Sequence, residues 1–271
     1  MPVEYVKDGA IATLTLRSGS VNPISPSMHR QLHEHLVDFL ADPEIRVGIL
    51  TGAGERAFSA GDDLSAPSSA EAENLDSLIA NLSPRHVLPD ADRDMWGWST
   101  ETLSRERFKP IVGAVRGWCL GGGLGLLLTL ADVRVASEDA KFGFPEIAYG
   151  MAGAGGMFRL GRHLPHTAAM SMLLTGDPID AAEALRVHLI NEVVPADELL
   201  ARATSIATRI AEHPPLAIRL EMEAYARGME MSRLDALAFA ERIYQLQRFA
   251  LGESEAQSWH QTRPTKEAGN V

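Results

Sequence analysis

With one cysteine, Cys119, among 271 residues, no internal disulfide can form, and the fold must rest on its core. A reducing, cytoplasmic setting is expected. Basic residues are in deficit: 25 Lys and Arg against 36 Asp and Glu leave a net charge of −11, which argues against a nucleic-acid surface. Apolar runs long enough for a membrane are missing too, because the Leu120 to Ala136 stretch is short and broken by glycines. From Met1 onward no charged segment leads into an apolar one, so no secretory signal is expected. His29, His33 and His35 share a helical stretch without an accompanying cysteine or carboxylate pattern. They predict no metal site and are expected on the solvated surface.

Hydrophobic residues at 45% and charged ones at 23% suit a globular chain able to bury a large core. Val3 to Leu16 reads as a hairpin turning at Asp8-Gly9, and Ser25-Pro26 has the N-cap and first-turn chemistry of a helix start. The most informative stretch runs from Lys109 to Glu146. Pro110 to Val115 predicts a buried strand, and Gly121, Gly122 and Gly123 then open the apolar helix Leu124 to Leu130. A strand, a glycine turn and a helix start offer unpaired N–H groups at the positive end of a dipole. Negative charge developing there would be stabilised. A glycine turn can also serve packing alone, so other segments must decide.

Three do. AFSAGDDL (Ala57 to Leu64) follows the apolar stretch Val47 to Thr51, FGFPE ends at Glu146, and GMAGAGG spans Gly150 to Gly156. In this order and spacing, together with LTGDPIDAAEAL and LINEVVP downstream, the chain resembles the enoyl-CoA hydratase/isomerase, or crotonase, superfamily. The resemblance implies an α/β fold, a ClpP/crotonase-like spiral of ββα units with a C-terminal helical domain. The core would span 1–195, and an oligomerising helical region 196–271, giving homotrimers or hexamers. It implies an acyl-CoA thioester substrate, with coenzyme A as part of the substrate and no separate cofactor, no nucleic acid and no membrane. By the same resemblance the N–H groups of Asp62 and Gly122 form an oxyanion hole, and Glu146 is the acid/base group. Ala60, Gly61, Trp118, Gly121, Gly123 and Gly125 become substrate-binding candidates. Trp96 and Trp98 are candidates for the acyl-site wall, with core packing as the competing role.

Departures from the family pattern shape the expected chemistry. A carboxylate at Asp62 replaces the small neutral residue usual there; it must turn away from the oxyanion or have its own role. The second glutamate that holds water in the two-step hydratases is absent, its place falling on Gly125 or Leu126. One base suffices to shift a double bond, which tilts the reading toward isomerisation. Hydration with a second group from Asp62 or from Asp90 to Trp98 remains the alternative, and an inactive CoA-binding scaffold is the reading of another class. Ala152, Gly153 and Ala154 stand where dienoyl isomerases carry another acid. His86 keeps dehalogenating or decarboxylating chemistry in view. Arg17 is a candidate phosphate contact, Asp63 a structural cap, and Cys119 a buried thiol. Tyr225, Tyr244 and Trp259 are possible contributors to the acyl site, with packing as their default, and a disordered tail is expected from Gln261.

Overall fold

The chain opens with the expected hairpin, β1 (Val3–Asp8) against β2 (Ile11–Leu16), turned by Gly9 at φ +54°. A computed structural model describes residues 1–65 and 97–261. Val3, Leu14 and Leu16 are buried, so the hairpin's inner face joins the core. Helix α1 (Pro26–Ala41) begins as its sequence predicts: the Ser25 side chain accepts from the Met28 N–H at 3.2 Å, and Pro26 sits in the first turn.

Three strand pairs then repeat one plan. β3 (Val47–Gly52) is followed by β4 (Ala57–Ser59), β5 (Ile111–Val115) by β6 (Trp118–Leu120), and β7 (Val133–Ser137) by β8 (Lys141–Gly143). The first member of each pair joins a six-stranded sheet, ordered β1-β2-β3-β5-β7-β10, where β10 is Glu192–Val194. The second joins a four-stranded sheet, β4-β6-β8-β9, closed by β9 (Ile179–Asp180). Beyond the hairpin the larger sheet is parallel, so both of its faces need cover. Leu50, Ile111 and Val115 meet Leu124 and Leu127 of α3 (Gly122–Leu130) within one apolar cluster, while Val47, Ile49 and Val112 pack with Leu199, Ala203 and Ala207 of a later helix in a second. This repeating spiral is the expected crotonase-like architecture.

Between the second and third pairs runs α3, whose residues are buried nearly all round, as its lack of a polar face predicts. α2 (Trp98–Leu103) packs on α1, and α4 (Ala154–Met157), α5 (His166–Thr175) and α6 (Ala181–Arg186) follow. Gly176, at φ +71°, ends α5 as the sequence expects. The chain divides into two compact units, Met1–Glu212 and His213–Val271. α7 (Leu199–Ala211) belongs to the first. α8 (Pro215–Gly228) and α9 (Arg233–Gln261) pack on each other in the second. Trp96, Arg85, His86, Asp90, Asp92, Asp94 and the tail beyond Gln261 lie outside the described residues.

One expectation fails. His29 and His33 are 4% and 6% exposed, because α2 and Arg105 cover that face of α1. Thr102 donates to the His29 carbonyl at 3.3 Å, and the Trp98 ring lies 5.4 Å from that of His33. Burial pushes His29 down from 6.5 to about 4, so it is neutral in the folded chain while an unfolded chain protonates it below pH 6.5. The unfolded state then binds more protons, and stability falls as pH drops from 6.5 toward 4. His29 should contribute about 2 kcal/mol of lost stability between pH 7.5 and 5. Urea unfolding of the parent and His29→Leu at both pH values measures it as the part of the pH dependence that the variant lacks.

Candidate active site

The glycine turn between β6 and α3 is held from both sides. The Gly121 N–H donates to the Gly143 carbonyl at 2.9 Å, tying the turn to the end of β8. Gly121 has φ +52°, a conformation that favours glycine. The AFSAGDDL loop crosses the same turn. A Cβ built on Gly61 would lie 3.3 Å from the Gly122 nitrogen and 3.0 Å from the Leu120 carbonyl oxygen. Backbone therefore lies directly on backbone.

Two buried polar residues anchor that loop. Asn22 donates to the carbonyls of Ala53 and Ala57 at 2.9 and 2.8 Å and accepts from the Ser18 N–H. Ser59 donates to the Asn22 carbonyl at 2.8 Å and accepts from the Gly61 N–H at 3.2 Å. Sequence reading missed both as positioning residues; the Asn22-Pro23 dipeptide is the one signal of a turn there. Ile24 pairs with the carbonyl of Gly61 and the N–H of Asp63, so the intervening Asp62 N–H is aimed to the other side. Among the described residues neither that N–H nor that of Gly122, the first residue of α3, has a hydrogen-bond acceptor. The Asp63 side chain accepts from Ser65 and caps the turn.

Glu146 reaches the turn from a 3-10 helix (Pro145–Tyr149) three residues beyond Gly143. A Cβ on Gly121 would stand 2.7 Å from its Oε1, and its Oε2 is buried without a hydrogen-bond partner among the described residues. The carboxyl of Asp62 faces the next glycine: a Cβ on Gly122 would stand 2.5 Å from Oδ1 and 3.2 Å from Oδ2. Burial raises the pKa of Glu146, the N–H of Glu146 itself partly offsets this, and the charge of Asp62 adds to the rise. Asp62 stays open to solvent on one side, yet the protein packed around the remainder still desolvates it and raises its pKa. A cleft of about 220 Å³ opens beside Glu146, walled by Phe144, Met151, Met170, Leu173 and Leu174.

The other sequence candidates are spread more widely. Ala60 donates to the Val21 carbonyl and precedes the loop's closest approach. Gly123 lets α3 press on β4, since a Cβ there would lie 2.7 Å from that of Ser59. Gly125 is buried under Phe158, whose ring atoms would come within 2.1 to 2.4 Å of a Cβ. Phe158, stacked in turn on Phe144 at 5.8 Å, is a third residue that sequence reading missed. Trp118 starts β6, 40% exposed, and Trp98 packs against α1. Arg17 is paired with Glu4 at 2.7 Å, and Cys119 is buried with its thiol pushed up by desolvation. Among the described residues there is no cluster of His, Cys, Asp and Glu fit for a metal, and no helix long and apolar enough to cross a membrane.

Comparison with known proteins bears on this geometry. The family profile described as enoyl-CoA hydratase/isomerase matches residues 7–249. Carnitinyl-CoA dehydratase of Citrobacter koseri is 35% identical over 230 residues, covering 84% of this chain and 82% of that protein. The Proteus mirabilis protein of the same name is 36% identical over 225 residues, covering 83% and 80%. Among solved structures, an enoyl-CoA hydratase subunit I from Geobacillus kaustophilus superposes with a TM-score of 0.78 at 30% identity, covering 99% of each chain. Enoyl-CoA hydratase from Bacillus anthracis gives 0.76 at 29% identity, covering 92% and 96%. With the profile matched over most of its length and these likenesses beside it, the chain belongs to the enoyl-CoA hydratase/isomerase family and is an acyl-CoA enzyme of that type.

Proposed function

We propose that this enzyme adds water to an enoyl-CoA thioester, and removes it from the 3-hydroxy product, through an enolate held by the N–H groups of Asp62 and Gly122. Glu146 moves the proton at Cα. One observation carries the reading: the carboxyl of Glu146 lies against Gly121, beside two main-chain amides that have no acceptor among the described residues. Amides at a turn and a helix start suit an oxygen that gains negative charge, and each such donor contributes on the order of 3 kcal/mol in comparable sites. A carboxyl with a raised pKa exchanges protons closer to neutrality than an exposed one. The dehydratase and hydratase names of the relatives agree with this direction. Coenzyme A enters as part of the substrate, and no resident cofactor is proposed.

In dehydration Glu146 works as carboxylate, so kcat/KM should fall as pH drops through its raised pKa, above the ordinary carboxylate range. In hydration it works as the acid, and the rate should fall as pH rises through the same value. Rate profiles in both directions check this.

A second reading, shift of a double bond by Glu146 alone, is favoured by the Phe158 ring over Gly125, where two-carboxylate relatives need room for an acid. A panel of enoyl-CoA esters analysed by mass separates the two, with Glu146→Gln as control. Gain of one water supports hydration, unchanged mass with a moved double bond supports isomerisation, and binding without α-proton exchange in D2O leaves only a scaffold.

The proposal extends to assembly as a homotrimer or hexamer. Leu234, Leu237 and Phe249 of α9 are 72%, 67% and 88% exposed in the single chain, a strip of apolar side chains that a second copy would cover. Light scattering should return three or six chain masses. The buried thiol of Cys119 suits the cytoplasm.

A further inference from the structure

Hydration needs a second group, one that handles the oxygen arriving at Cβ while Glu146 handles the proton at Cα. Gly125 supplies no side chain, and the Phe158 ring occupies the space a side chain would need. The geometry points to Asp62 as that group: its carboxyl and that of Glu146 face consecutive glycines of one turn, and the two work as a pair sharing a single proton. This inference rests on the hydration reading above and names the residue that completes it.

The placement of Asp62 is built in. Its neighbours Gly61 and Asp63 are pinned to Ile24 by hydrogen bonds of 2.8 and 3.0 Å, and Gly61 is also held by Ser59. Its two oxygens lie 2.5 and 3.2 Å from a Cβ built on Gly122, and Glu146 Oε1 lies 2.7 Å from one built on Gly121. Those glycines are joined by a single peptide, with Cα atoms about 3.8 Å apart. Among the described residues no lysine or arginine pairs with either carboxyl. Two uncompensated carboxylates beside a developing oxyanion would repel each other and it. One proton held between them removes most of that cost.

In hydration the Asp62 carboxylate takes a proton from water as the water oxygen bonds to Cβ. The electron pair of the Cα–Cβ double bond moves into the thioester, leaving an enolate whose oxygen faces the two amides. The carboxylic acid of Glu146 then gives its proton to Cα as the C=O bond reforms. The product is a 3-hydroxyacyl-CoA, and the proton now on Asp62 returns to Glu146. Dehydration is the reverse.

Asp62→Asn keeps the main-chain N–H and the shape of the side chain but cannot take a proton. It should slow hydration about 100-fold or more. Exchange of the α-protons of butanoyl-CoA in D2O, which needs Glu146 and the amides only, should slow by less than about tenfold. The hydration profile of Asp62→Asn should lose the limb in which the parent's rate rises with pH as Asp62 deprotonates, and Asp62→Glu should recover part of the rate. Equal thermal midpoints for parent and variants establish that folding is unaffected. Hydration within about threefold of the parent with an unchanged pH profile would overturn the role of Asp62 alone. So would equal losses in hydration and exchange, which would mean that the residue acts only through the oxyanion site. A parent that exchanges α-protons yet adds no water overturns the hydration reading, and a parent that does neither overturns the reading of Glu146.

Discussion

Glu146→Gln should lower kcat by about 10³-fold, about 4 kcal/mol of transition-state stabilisation, while KM changes little. The amide keeps nearly the same shape over Gly121 but can neither take nor return a proton at Cα. Folding should not suffer. Oε2 of Glu146 is buried without a partner among the described residues, so no hydrogen bond there is lost, and a neutral amide removes a desolvated carboxyl that the charge of Asp62 already disfavours. Unchanged or raised thermal stability together with the loss of turnover is therefore the expected result. Single-turnover kinetics with stability measured on the same samples checks it. A variant that keeps a tenth of the parent's turnover would remove Glu146 from the chemistry.

Much of the frame was readable because local chemistry dictates it. The Ser25-Pro26 start, the turn at Gly9, the glycine end of α5 and the unbroken apolar face of α3 each depend on residues within a few positions of one another. What sequence reading missed depends on distant partners. His29 and His33 are buried because residues about seventy positions away fold over them, as in the hydrogen bond from Thr102. Asn22 matters through Ala53 and Ala57, more than thirty positions on. The same holds at the site. The glycines announced a close approach, but not that Asp62 lies against Gly122 or that an aromatic ring covers Gly125. A missing side chain can be read from a sequence; what fills its space cannot.

That filled space gives the other large effect. Gly125→Glu, which would restore the second carboxylate of the two-step hydratases, should destabilise the fold by about 4 kcal/mol and yield no gain in rate. The new Cβ would meet the Phe158 ring at 2.1 Å, with two further ring atoms at 2.4 Å. The ring has little room to retreat, being 7% exposed and stacked on Phe144, itself 1% exposed. The carboxylate would also be carried into an apolar wall, adding desolvation to overpacking. Adding Phe158→Ala should recover at least half of the lost stability, although Phe158→Ala alone costs about 3 kcal/mol by leaving a cavity. Such strong non-additivity is the signature of two side chains competing for one volume. A double-mutant cycle by urea unfolding measures it directly, and additive losses would show that Phe158 yields freely. Gly125 and Phe158 thus form a single structural choice. Where the family resemblance leads one to expect an acid on α3, an aromatic ring covers Gly125, and the second proton carrier proposed above comes instead from the loop that holds Asp62.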